Sequence, residues 1–248
     1  MTRRPTVAVL HAAGTNRDGE AARAVEMAGG DAHIVPLGRN VSRYHAVVVP
    51  GGFSFGDALG AGVLLALEAG EALAEFAATS KPVLGICNGF QALVRAGLLP
   101  GPAGLARRAT LTNNSNRQFE CRWVHLAVEA GSTAGLAEYL PAVIACPVAH
   151  GEGRLAVNHP AVVEELAAAG NVLFRYVDAE GAPAEGRYPA NPNGSVGDIA
   201  GLCNAAGNVW GLMPHPEDHV TPAADPFHRP GRLGLGLFEA LVKRASQH

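Results

Sequence analysis

Cys87 lies in the stretch Gly85-Ile86-Cys87-Asn88-Gly89-Phe90-Gln91, with a glycine two residues to either side. The residues before it are apolar and strand-like, and those after it have helical character. The thiol therefore falls at a strand-to-helix junction. A nucleophile elbow has this form: the reactive atom stands on a strained turn, and the glycines relieve crowding around it. Unpaired backbone N–H groups at a helix start favour a thiolate. The N–H of Asn88 is placed to bond an oxyanion on the carbon that the sulfur attacks. Taken alone, the cysteine reads more readily as a small buried apolar residue; the bracketing glycines favour the nucleophile. The pattern implies acyl transfer and leaves the substrate open.

Such a thiol needs a base, and Met213-Pro214-His215-Pro216-Glu217 offers one. Each proline disfavours helix for the residue before it, so extended chain is expected across His215. Residues two apart then project to the same side, which lets Glu217 meet one imidazole nitrogen. The carboxylate would fix the tautomer and leave the other nitrogen for Cys87. In isolation His-Pro-Glu reads as a surface turn; with an elbow cysteine in the same chain, a triad is the better reading. His215 and His219 are four apart and His228 is nearby. Pro216, Pro222 and Pro226 argue against one helix presenting them, and no metal site is expected.

A further glycine pair, in Pro50-Gly51-Gly52-Phe53-Ser54-Phe55-Gly56-Asp57, lets backbone N–H groups approach a ligand closely. Gly52 is the candidate for the second oxyanion donor. A plain glycine turn after a strand is the alternative. No G-x-x-x-x-G-K-[ST] stretch occurs, so no ATP site is recognisable.

The elements that must carry these groups follow from periodicity. Residues 6–10, 32–37, 45–50 and 82–86 read as strands, the first and last of them buried. Residues 18–27, 60–78 and 88–96 read as helices, the first capped by Asp18. Strands alternating with helices predict an α/β fold with a mostly parallel sheet covered on both faces. The second half is less regular: strands at 120–129 and 171–177, a helix at 160–169 with Pro160 in its first turn, and loop at 189–197. A hairpin of 199–203 with 209–213 and a helix at 233–245 complete it.

The bulk properties set limits. With 248 residues, 48% hydrophobic and 17% charged, the chain can bury an ordinary core, and one domain over residues 1–248 is expected. The net charge of −3 and the isolated pairs Arg3-Arg4 and Arg107-Arg108 give no footprint for nucleic acid. Four widely spaced cysteines without C-x-x-C indicate free thiols in a reducing cytoplasm. The apolar run at residues 7–10 is too short for a secretory leader. Glu68 and Glu71 interrupt the apolar segment that begins at Gly60, so no membrane span is expected.

Together, the Cys87 stretch and His215-Pro216-Glu217 resemble class I (triad) glutamine amidotransferases. Further blocks are similar to the glutaminase subunits of phosphoribosylformylglycinamidine synthase. These are Gly14-Thr15-Asn16, residues 50–57, Asn114-Ser115 with Phe119-Glu120-Cys121-Arg122, His150-Gly151-Glu152-Gly153-Arg154, Asn191-Pro192-Asn193-Gly194-Ser195 and Ile199-Ala200-Gly201-Leu202. One departure is Arg17, where the family often has a cysteine.

The resemblance implies a flavodoxin-like three-layer fold. Cys87 would form a γ-glutamyl thioester, His215 would act as base and then acid, and Glu217 would orient His215. Gly52 and Asn88 would supply oxyanion N–H groups. Gly51 and Gln91 would help hold glutamine, and Asn114 and Ser115 would meet its amino-acid end. His150 and Glu152 would shape either the site mouth or a partner interface. The chain itself would bind no cofactor. Ammonia would pass to a separate large synthase subunit that uses ATP and magnesium, assembled with a small bridging subunit, in purine biosynthesis. The rival readings are a glutaminase serving a different amidotransferase, a cysteine hydrolase or chaperone of the same architecture, and a non-catalytic regulatory scaffold.

Overall fold

The computed structural model describes residues 4–101, 108–226 and 234–248. In chain order it runs β1 (Thr6–His11), α1 (Asp18–Met27), β2 (Asp31–Pro36), β3 (Ala46–Val49), α2 (Val63–Ala78), β4 (Val83–Ile86) and α3 (Asn88–Arg95). The second half holds β5 (Ala109–Thr112), β6 (Glu120–Val128), β7 (Val143–His150), β8 (Arg154–Val157), α4 (Ala161–Ala168), β9 (Val172–Val177), β10 (Ile199–Cys203), β11 (Val209–Leu212) and α5 (Leu235–Ala245).

Nine of these strands form one sheet in the order β2-β1-β3-β4-β11-β10-β9-β6-β7. The ladders from β2 to β11 are parallel, and those from β11 to β7 are antiparallel. Following the ladders across, only β10 and β6 run against the rest, so strand direction is mostly common as expected. β3 and β4 read Ala-Val-Val-Val and Val-Leu-Gly-Ile with every residue buried. Unbroken apolar runs of this kind suit strands covered on both faces.

The chain steps left from β1 to β2 and right from β3 to β4. Right-handed crossovers therefore put α1 and α2 on opposite faces. α1 packs with α5, which also contacts β1 and β3, whereas α2 packs with α3, which contacts β3, β4 and β11. The result is an α/β fold of three layers, with the strand order reversing between β1 and β3 and the C-terminal ends of β3, β4 and β11 adjacent. No helix among the described residues is long and apolar enough to cross a membrane.

Several local expectations change. The helix expected from residue 60 begins at Val63, because Gly60 and Gly62 take left-handed φ of 107° and 75°. Asp18 does not cap α1: Arg17 occupies that position without a side-chain cap, and the Asp18 carboxylate lies 2.7 Å from His11 Nδ1. Two elements not read from sequence are β7 and the small antiparallel sheet of β5 with β8. The C-terminal helix starts at Leu235; Leu233, with Arg3, Arg107 and His228, lies outside the described residues.

Candidate active site

Cys87 closes β4 and caps the N-terminus of α3, with φ 50° and ψ −104°. A non-glycine residue in that region stores on the order of 1–3 kcal/mol of backbone strain, which the surrounding packing must offset. The glycines are needed for contact. A Cβ on Gly89 would sit 1.8 Å from the Val49 carbonyl oxygen, and one on Gly85 would meet the Gly89 carbonyl at 2.8 Å. Only glycines let α3 press this tightly onto β3 and hold the turn.

The base arrives from the other end of the chain. β11 pairs with β4 and leads through Met213 and Pro214 to His215, whose N–H bonds the Pro147 carbonyl at 2.8 Å. His215 has φ −104° and ψ 87°, but Pro216 then opens a short 3₁₀ turn, Pro216–His219. The expected extended chain therefore stops at His215. Glu217 reaches back from within the turn, and its Oε1 lies 2.7 Å from His215 Nδ1, with both side chains buried. Burial by itself disfavours the imidazolium. The negative charges of Glu217 and a Cys87 thiolate outweigh it and hold the His215 pKa well above the ordinary 6.5. The Cys87 sulfur is near enough to the ring to support the imidazolium, and among the described residues the buried His215 Nε2 has no other partner.

β7 joins the two ends of this arrangement. It is the last strand of the sheet, paired to β6 on one side only. Alternate carbonyls point to its open side: Ala149 accepts the Cys87 thiol at 3.8 Å, Pro147 accepts His215 N–H, and Ala145 contacts His219 Nδ1. His219 is thereby consumed structurally, lying edge-on to Trp123 and 3.5 Å from Asp225.

The candidate oxyanion donors flank the sulfur. An isolated bridge joins Gly52 to Thr15 through Phe53 N–H to the Gly14 carbonyl and Asn16 N–H to the Gly51 carbonyl. This bridge leaves the Gly52 N–H unused. Asn88 N–H is in the first turn of α3, where no intrahelical acceptor exists. The Asn88 side chain fastens the loop to the helix: Oδ1 accepts Ser54 N–H at 3.2 Å, and Nδ2 donates to Asp57 Oδ1 at 3.2 Å and Gln91 Oε1 at 3.0 Å.

Cys87 opens into a cavity of about 230 Å³, lined also by Gly52, Asp57, Gln91, His150 and Glu152. Gln91 donates to the Glu152 carbonyl at 2.7 Å, and Glu152 Oε2 accepts Ala61 N–H at 3.3 Å. The other wall is Asn113, Arg117, Gln118 and Phe119. Burial first, and then the charge of Glu152, push the Asp57 pKa up. A larger cleft of about 490 Å³ lies between residues 37–42 and α2; none of its lining residues belongs to the Cys87 site.

Three sequence-derived residues sit differently from expectation. Gly51 lies against the imidazole, since a Cβ there would be 2.7 Å from His215 Cε1. Asn114 is buried behind the wall, donating to the carbonyls of Gln118 and His150 and accepting from Gly153 N–H and His150. Ser115 donates its N–H to the Asn193 carbonyl. The cavity is faced by their neighbours Asn113, Arg117 and Gln118. Sequence reading passed over those three, because residues 113–119 form an irregular loop with no period to fix which side chains point inward.

A profile of the CobB/CobQ-like glutamine amidotransferase domain matches residues 4–243. The phosphoribosylformylglycinamidine synthase subunit PurQ of Treponema denticola is 45% identical, over 88% of this chain and 89% of its own length. The same subunit of Methanopyrus kandleri is 42% identical, over 96% of this chain and 97% of its own. Among solved structures, that of PurLQS from Thermotoga maritima superposes with a TM-score of 0.77 at 32% identity, covering 97% of this chain and 99% of that one. A glutamine amidotransferase from Thermotoga maritima, with TM-score 0.59 at 14% identity, shares the fold. The chain belongs to the glutamine amidotransferase family, within the group formed by the PurQ subunits of phosphoribosylformylglycinamidine synthase.

Proposed function

We propose that this chain is the glutaminase subunit of a phosphoribosylformylglycinamidine synthase. The observation that carries the reading is the elbow thiol at Cys87 beside the buried His215–Glu217 pair from the distant end of the chain, close enough to support the imidazolium. His215 takes the thiol proton, and Cys87 attacks the side-chain amide of glutamine. Gly52 and Asn88 N–H groups stabilise the oxyanion. The proton passes from His215 to the departing nitrogen, and water then releases glutamate from the thioester. Gln91 shapes the cavity beside the sulfur.

An amino-acid substrate is supported by charge. Arg117 suits an α-carboxylate, and the carboxylates of Asp57 and Glu152 suit an α-ammonium. Their mutual repulsion, which contributes to the raised Asp57 pKa, would be relieved by a cation between them.

Free ammonia in water near neutral pH is almost wholly protonated and no longer a nucleophile. A closed route to the acceptor site therefore requires a partner over the cavity. We assign that role to a large synthase subunit, assembled with a small bridging subunit, in keeping with the PurLQS likeness. ATP and magnesium act on that partner, which aminates formylglycinamide ribonucleotide. We also read the chain as one domain, supported by the single sheet that links both halves, and as a cytoplasmic protein.

Glutamate release from glutamine, measured with and without the synthase subunits, tests the proposal. Strong stimulation by those subunits is expected. No glutamate release in their presence would refute it, and stimulation only by a different synthase would move the chain to another pathway.

A further inference from the structure

His150 ends β7 and is buried in the wall of the cavity that Cys87 shares. Its hydrogen bonding fixes which nitrogen carries the proton. Asn114 Nδ2 already donates to two carbonyls, those of Gln118 and His150, which identifies Asn114 Oδ1 as an acceptor. Oδ1 also receives Gly153 N–H at 3.0 Å. The His150 Nδ1 atom, 3.1 Å from that oxygen, must therefore be the donor. In a neutral ring this leaves Nε2 with a bare lone pair.

Nε2 is buried and has no hydrogen-bond partner among the described residues. Gly153 packs tightly on the Nδ1 side of the ring, where a Cβ would approach Cε1 and Nδ1 to 2.4 Å. Nε2 is thus the unpaired nitrogen of a ring that lines the cavity. The ring also stays neutral: burial first, and then the charge of His215, lower its pKa to about 4. A buried acceptor without a donor destabilises the site. That cost would be recovered by any ligand bringing an N–H to this point.

We propose that His150 Nε2 accepts a hydrogen bond from the carboxamide nitrogen of glutamine and from the ammonia that leaves it. This rests on the glutaminase reading above and deepens it. The two histidines divide the work by proton content. When the C–N bond breaks, His215 delivers its proton to the nitrogen, and the bond electrons leave with that nitrogen as NH3. His150 has no proton on Nε2 to add, so ammonia held there is not converted to ammonium. A carboxylate offers this lone pair no hydrogen, which disfavours the product glutamate relative to glutamine.

The test compares an amide with an ester on the full chain assembled with its synthase subunits. Glutamine and glutamic acid γ-methyl ester form the same thioester, but the ester has no N–H at the leaving atom. His150→Asn keeps a donor near the Nδ1 position and removes the Nε2 acceptor. His150→Gln places an amide near the Nε2 position and can restore an acceptor. For His150→Asn, the ratio of kcat/KM for glutamine to that for the ester is expected to fall about 10- to 100-fold, with partial recovery in His150→Gln. An equal fall for both substrates would overturn the proposal and make His150 structural or an aid to thioester hydrolysis. Should neither variant fold, nitrogen NMR of histidine-labelled Cys87→Ala protein decides. Glutamine, but not glutamate, should then shift the unprotonated His150 Nε2 resonance; no difference between the two would overturn the proposal. If the unmodified chain cleaves neither substrate, the glutaminase reading itself has failed.

Discussion

The two halves of the sheet make unlike contributions to the same site. The parallel half, β2 to β11, presents strand ends, and from these come the sulfur, the glycine loop and the segment carrying His215. The antiparallel half and its connecting loops contribute main-chain carbonyls of β7 and cavity wall that includes His150, Glu152 and Arg117, and nothing from it forms a bond to carbon in the proposed reaction. The first half holds the reacting groups, and the second fixes where they meet. A thiol and an imidazole from remote parts of the chain are brought together because both dock on one strand.

The largest effect should come from removing the reacting atom. Cys87→Ala is expected to lower glutamine hydrolysis by about 10⁴-fold or more. Complex assembly should survive, checked by gel filtration with the synthase subunits. Retained glutamine-dependent activity would take the chemistry away from the parallel half altogether.

An intermediate effect is expected where the halves press together. A methyl group at Gly51 would collide with the imidazole that β7 seats through the Pro147 carbonyl. Gly51→Ala should lower kcat by about 10- to 100-fold, since small misplacements of a catalytic group are costly. If KM rose instead with kcat unchanged, Gly51 would be serving glutamine rather than His215.

The third effect concerns stability and isolates the antiparallel half. The fold lowers the His150 pKa from 6.5 to about 4. The folded state therefore takes up this proton less readily than the unfolded chain does. Stability linked to His150 is complete above pH 6.5 and is lost as the pH falls toward 4, by up to about 3 kcal/mol. His215 has the opposite sign: its raised pKa favours the fold at low pH and is lost as pH climbs through the folded value. Denaturant midpoints at pH 7 and pH 4.5 should diverge less in His150→Gln than in the unmodified chain. Equal divergence would mean the ring is not held neutral.

Legibility in the sequence followed the same division. The Cys87 elbow, His215-Pro216-Glu217 and strands β1 to β4 are contiguous signals, with their apolar runs and punctuating glycines next to one another. β7 was missed because Val-Ile-Ala-Cys-Pro-Val-Ala-His does not alternate and contains Pro147. A proline in a strand signals an edge position, and β7 is such an edge. Pro147 faces the open side with its missing N–H, where only its carbonyl is needed. The buried role of Asn114 was equally hidden, because it depends on four hydrogen bonds from three residues, Gln118 and the more distant His150 and Gly153. Even the triad carried a local surprise, with Glu217 reaching back from a 3₁₀ turn instead of extended chain.

An unprotected terminal strand invites a second molecule to add itself by main-chain pairing. Here the catalytic turn occupies that vulnerable border at residues 145 and 147, and the Cys87 thiol occupies it at residue 149. A copy in which the 215–219 turn failed to settle would lose its base and at the same moment bare a sticky ribbon. Inactive copies would then tend to clump and drop out of solution, so the dissolved population would be enriched in working ones.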